Sequence, residues 1–100
     1  MIRYLRTGQA KNDRFLEAMA FAQRVAEYIN ANHPGNTFQV FVESFGDINR
    51  IFWIADYESL AALDVASNKI YQDQGYWAVL SQSPDLFIEG SFHDTLLTSV

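Results

Sequence analysis

The chain states one structural pattern twice. An extended apolar run, a long amphipathic helix and a second extended run occupy residues 1–45, and the same order returns over residues 50–100. A β-α-β unit used twice within 100 residues predicts one α+β domain spanning residues 1–100. The expected architecture is a ferredoxin-like βαββαβ sandwich, with a four-stranded antiparallel sheet and two helices on one face.

The first strand reads from Ile2 to Gly8. Phe15, Met19, Ala22, Ala26 and Ile29 then recur at helical spacing, with Asn12 or Asp13 as the cap and Asn32-His33-Pro34-Gly35 as the stop. A Val- and Phe-rich strand over 37–45 and a strand over 50–55 flank a hairpin loop at 46–49. Asp56 is placed to cap the second helix, which Gly75 should break, leaving a short helix around Tyr76 to Leu80. Pro84-Asp85 precedes an expected fourth strand from Leu86 to His93, and residues 94–100 read as an extended tail.

Composition narrows the function classes. The net charge is −5 and the seven basic residues are scattered, so there is no basic patch for nucleic acid. The chain has no cysteine, which removes disulfides, thiol chemistry and a cysteine-ligated metal. His33 and His93 are too far apart to form a metal signature, and no cofactor motif or phosphate loop is present. No apolar run approaches the length that spans a membrane, and the first residues lack a signal-peptide core, so a cytoplasmic protein is expected.

Strand faces carry the remaining information. With Glu43 set opposite Trp53, one face holds Val40, Val42, Phe52 and Ile54 and suits packing under helices. The other holds Phe41, Glu43, Phe45, Ile51 and Trp53, an apolar surface that a lone domain would leave in water. A second copy covering it predicts a homodimer. The gap between sheet and helices is the expected cavity. Glu43 and Glu89 are carboxylates in apolar strands, and Arg3, Arg6 or Arg50 can pair with them. Strand alternation sets His93 on the face of Glu89, but four strand residues span roughly 13 Å, too far for a direct acid/base couple. His33 suits a role at the helix end, and Trp77 suits packing.

The run Phe52-Trp53-Ile54-Ala55-Asp56-Tyr57-Glu58-Ser59-Leu60, together with Tyr76-Trp77-Ala78-Val79-Leu80, resembles the dimeric α/β-barrel superfamily. The nearest likeness is to NIPSNAP-like proteins, then to the antibiotic-biosynthesis-monooxygenase group. The resemblance implies a dimeric barrel with a cavity under each sheet. Its haem-degrading members carry a histidine in the second long helix, and this chain has none between His33 and His93. Two functions are expected to compete. The first is binding of a small apolar or aromatic ligand, with Phe41, Trp53, Tyr57 and Glu89 lining the site. The second is cofactor-independent monooxygenation of a phenolic or polyketide-like substrate, with His93 or Glu43 assisting proton removal. A structural dimer with a filled interior is a third possibility.

Overall fold

A computed structural model describes residues 1–82 and 85–100. The first half contains β1 (Ile2–Gln9), a 3-10 turn (Asn12–Arg14), α1 (Phe15–Asn32) and β2 (Gln39–Val42). The second contains β3 (Arg50–Tyr57), α2 (Leu60–Tyr71), α3 (Gln74–Leu80) and β4 (His93–Thr98). The strands form an antiparallel sheet of order β2-β3-β1-β4. Each helical crossover thus skips one strand, which is the ferredoxin-like arrangement.

Helix α1 buries Ala18, Ala22 and Ala26 beside Phe21, Val25 and Ile29. The small residues recur every fourth position and let the helix axis approach the sheet closely. That approach brings the Trp53 indole close enough to donate from Nε1 to the Ala22 carbonyl at 3.1 Å. The second helical segment does break in two, but at Gln72–Asp73, ahead of Gly75, which lies inside α3. Gln72 ends α2 and Asp73 caps α3, accepting from the Gly75 amide at 2.8 Å. The same carboxylate accepts from Tyr28 Oη at 2.7 Å and lies 2.8 Å from His33 Nε2, tying α3 to the end of α1. His33 thus acts across the helix layer through its side chain, while its own amide donates to the Ile29 carbonyl.

Four expectations from the sequence need correction. The hairpin register is offset by three residues: Val40 faces Trp53, Phe41 faces Phe52, and the Glu43 amide donates to the Arg50 carbonyl. An odd offset exchanges the two faces of one strand relative to the other. Ile51, Trp53, Ala55 and Tyr57 therefore face the helices and are buried. Phe52 and Ile54 join Phe41 on the opposite face, where Leu5 and Leu97 also lie. The cause is the turn, in which Phe45 and Asn49 take left-handed backbone conformations (φ 61° and 65°) and lengthen the connection beyond a tight hairpin.

The fourth strand is also displaced. Residues 93–98 pair with β1, whereas the Leu86–Phe92 stretch forms no ladder with it and meets its end through an Ala10–Phe87 bridge and the bond from the Gln9 amide to Ser91 Oγ at 3.1 Å. The expected tail is thus the strand, because β1 offers its free edge to Thr95, Leu96 and Leu97. Pro84 lies outside the described residues. At the helix starts, Ser59 rather than Asp56 caps α2, accepting from the Ala62 amide at 3.1 Å. Asp56 is the penultimate residue of β3 and forms a two-point ion pair with Arg3 (2.8 and 2.9 Å). Asn12 and Asp13 fall in the 3-10 turn, and α1 has no side-chain cap.

Ile51 is wholly inaccessible and sits where β3 meets α1's alanine stripe. Ile51→Ala is expected to cost about 2–5 kcal/mol of folding stability. Urea titration should show this as a lowered midpoint with an unchanged slope.

Candidate functional site

A cavity of about 500 Å³ lies between the helix-facing side of the sheet and the helices. Alternation along β1 turns Tyr4 and Arg6 into it, and alternation along β3 does the same for Trp53 and Tyr57. Helix α1 contributes Phe21, Val25 and Ile29 to its walls, and α2 contributes Leu63, Ser67 and Ile70. Phe87, Glu89 and Phe92 border it from the segment ahead of β4.

The two ends differ in chemistry. At one end Trp53 stacks on Phe92 (centroids 6.2 Å apart) and contacts Phe87 (6.0 Å), while Phe87 and Phe92 meet at 4.9 Å. The indole N–H is already bonded to Ala22, so the ring presents only its apolar faces. At the other end the Arg6 guanidinium lies 6.0 Å from the centre of the Tyr4 ring. It donates from Nε and Nη2 to the two carboxylate oxygens of Asp94, at 2.8 and 2.9 Å. Tyr71 and Tyr76 also border this end, their rings tilted at 56° with centroids 6.4 Å apart.

Protonation follows from these contacts. Hydrogen bonding from Arg6 holds the Asp94 carboxyl below its ordinary range, so the pair is ionised near neutrality. Burial pushes the Tyr4 and Tyr76 phenols upward and keeps them protonated. Burial also pushes Tyr57 up to about 12. Its hydroxyl donates to Asn36 Oδ1 at 2.5 Å. The site is therefore an apolar slot with neutral hydroxyls and one internally compensated ion pair at its polar end.

Of the residues singled out by sequence, Trp53, Tyr57 and Glu89 stand around this cavity. Phe41 lies on the opposite face of the sheet, paired with Phe52. His93 is exposed on that opposite face as well, across from Thr7. Glu43 sits just past β2, with Oε2 3.7 Å from Arg50 Nε and, among the described residues, no hydrogen bond to that oxygen. Glu43 and His93 are thus brought neither to the cavity nor to each other. Tyr4 and Asp94 are not singled out by the sequence, and Arg6, expected as a partner of Glu43 or Glu89, pairs with Asp94 instead. Alternation in β1 could have revealed Tyr4 beside Arg6, but Asp94 was hidden by the misplaced fourth strand. Among the described residues, no group of three or more His, Cys, Asp or Glu is arranged to hold a metal ion. No helix there is long and apolar enough to cross a membrane.

A family model described as a family of unknown function (DUF6039) matches residues 1–99. Several solved structures share the fold. An uncharacterised NIPSNAP domain protein from Burkholderia xenovorans superposes with a TM-score of 0.83 at 13% identity, covering 100% of this chain and 95% of that one. A NIPSNAP family protein from Agrobacterium tumefaciens gives 0.80 at 20% identity, covering 99% and 92%. A putative antibiotic biosynthesis monooxygenase from Nitrosomonas europaea gives 0.72 at 15% identity, covering 100% and 99%. No curated protein matches the chain. The chain therefore has the ferredoxin-like fold that NIPSNAP and antibiotic-biosynthesis-monooxygenase-like proteins share.

The raised Tyr57 value has a consequence for stability. Its folded-state pKa of about 12 exceeds the ordinary 10.0, so its contribution is complete below pH 10 and is lost as pH rises towards 12. Stability measured by urea unfolding should fall over that interval. Tyr57→Phe should flatten the fall, while lowering stability by about 1 kcal/mol at pH 8 through loss of the bond to Asn36.

Proposed function

The chain belongs to DUF6039, a family of unknown function, and we propose that it binds a small aromatic or apolar ligand in the cavity between sheet and helices. The observation that carries this reading is the cavity itself, about 500 Å³ of mainly apolar and aromatic lining with a few polar side chains, among them Tyr4, Arg6, Tyr57 and Glu89. Ligand sites are commonly built this way, with apolar walls supplying affinity and a few polar groups fixing orientation. A flat ring would lie along Trp53 and Phe87 and turn its polar edge towards Tyr4 and Arg6.

Cofactor-independent oxygenation of a phenolic substrate is a second reading. It is favoured by the hydroxyls of Tyr4, Tyr71 and Tyr76 beside the aromatic slot, since fixed donors can orient a phenolic oxygen. Fold neighbours named as antibiotic biosynthesis monooxygenases are consistent with it. Glu43 and His93 lie outside the cavity, so the polar roles in this reading fall to Tyr4, Arg6 and Asp94.

A homodimer forms part of the proposal. Leu5, Phe41, Phe52, Ile54 and Leu97 share the sheet face that carries no helix, and Phe41 and Leu97 remain about half exposed. A second copy packed on this face about a two-fold axis would cover the patch with the same patch. Light scattering should then give twice the 11.4 kDa chain mass, and Phe52→Glu should return it to one chain.

Ligand binding is tested through Trp53 fluorescence in a Trp77→Phe background. Hydroxynaphthalenes and hydroquinones should quench it saturably. Ser67→Phe, which fills the cavity from α2, should weaken binding by at least about tenfold. No saturable quenching by any of them would sink the reading. Oxygen uptake during the same titrations would favour the enzyme over the binding protein.

A further inference from the structure

The cavity's charge arrangement selects among aromatic ligands. Among its described lining residues, Arg6 is the one basic group, and Asp85 and Glu89 add carboxylates near its border. Arg6 is not available as an anion receptor. Its Nε and Nη2 engage both oxygens of Asp94 at 2.8 and 2.9 Å, the two-point geometry that makes arginine–carboxylate pairs strong and directional. The other nearby cation, Lys11, lies 3.5 Å from Asp85.

We propose that Asp94 is a specificity-determining residue, which makes the cavity accept uncharged hydroxyl- or carbonyl-bearing aromatics and reject aromatic acids. The inference rests on the ligand-binding reading above and names the chemical class that the site takes. A carboxylate entering the slot would have to displace Asp94 from the guanidinium or remain desolvated without a counter-charge. Both cost free energy. An uncharged hydroxyl or carbonyl meets no such penalty. It can bond to the Tyr4, Tyr71 and Tyr76 hydroxyls, which themselves lie against the Arg6–Asp94 pair, without displacing Asp94 from the guanidinium.

The register of the sheet explains why Asp94 occupies this role. Arg6 has Trp53 as its partner on one side and Asp94 on the other, so all three side chains emerge on the cavity side in a single cross-strand row. Asp94 is thereby held beside Arg6 by backbone pairing and does not depend on the ligand for its position. It acts through Arg6 and is a positioning residue for the ligand's polar edge.

Calorimetric titration with 2-naphthol and 2-naphthoate at pH 7 tests the inference, because the two probes share a ring system and differ in charge. The wild-type protein should bind 2-naphthol at least about tenfold more tightly. Asp94→Asn keeps the side-chain shape and frees the Arg6 charge, and it should shift the preference at least tenfold towards 2-naphthoate. Equal affinity of the wild-type protein for both probes overturns the selectivity and leaves the binding reading intact. So does an unchanged preference in folded Asp94→Asn protein. Binding of neither probe overturns both. The wild-type comparison stands even if the variant fails to fold.

Discussion

The register of β1 between β3 and β4 is the constraint on which the site depends. Arg6 sits at the middle of the central strand, and antiparallel pairing fixes Trp53 on one side of it and Asp94 on the other. One row of the sheet therefore supplies an aromatic surface, a cation and the anion that neutralises it. A slip of one residue in either ladder would send a member of this row to the opposite face. The Trp53–Ala22 hydrogen bond and the alanine stripe of α1 hold the helix layer over the same row. Backbone pairing and close helix approach thus set the shape of the slot before any ligand arrives.

The far wall is positioned by a different device. Tyr76 is buried on α3, a helix of only seven residues that propensity alone would not hold. Asp73 compensates by capping α3 while also bonding to Tyr28 and His33 from α1. These hydrogen bonds, chiefly those from Tyr28 and His33, hold its carboxyl below the ordinary range, so the carboxylate stays ionised and keeps accepting. The break between α2 and α3 is therefore a fixed corner, and it lets Tyr71 and Tyr76 both stand at the polar end of the cavity.

Much of this architecture is legible in the chain. Two β-α-β units, a division of the second helical segment in two and the space between sheet and helices all follow from periodicity and from residues with strong backbone preferences, although the division falls at Gln72–Asp73 and not at Gly75. Face assignment is legible only where register is. In β2, Val40 and Val42 fall on the helix side as alternation suggests, but β3 is inverted because its offset depends on left-handed turn residues. Phe45 and Asn49 give no reliable advance sign of that conformation, since Phe rarely adopts it. The last strand was misplaced for a related reason. Leu86–Phe92 has strand-like composition, yet its side chains serve as cavity border and core plug, with Phe87 and Phe92 packing on Trp53. Apolar composition there reflects ring contacts and the buried Leu86, and it does not distinguish a strand from an irregular segment leaning on a core.

The ion pair at the polar end is hard to explain by stability. Arg6 and Asp94 keep about a third and a half of their side-chain surface exposed, and pairs so placed contribute little net free energy. What the pair does supply is a fixed array of N–H donors with no net charge, beside an aromatic slot. A slot lined only by aliphatic groups could not orient a ring by its polar edge, and one with an unpaired arginine would admit any small anion. The compensated pair orients a polar edge without attracting charge, and β1's position between its two partner strands is sufficient to place it.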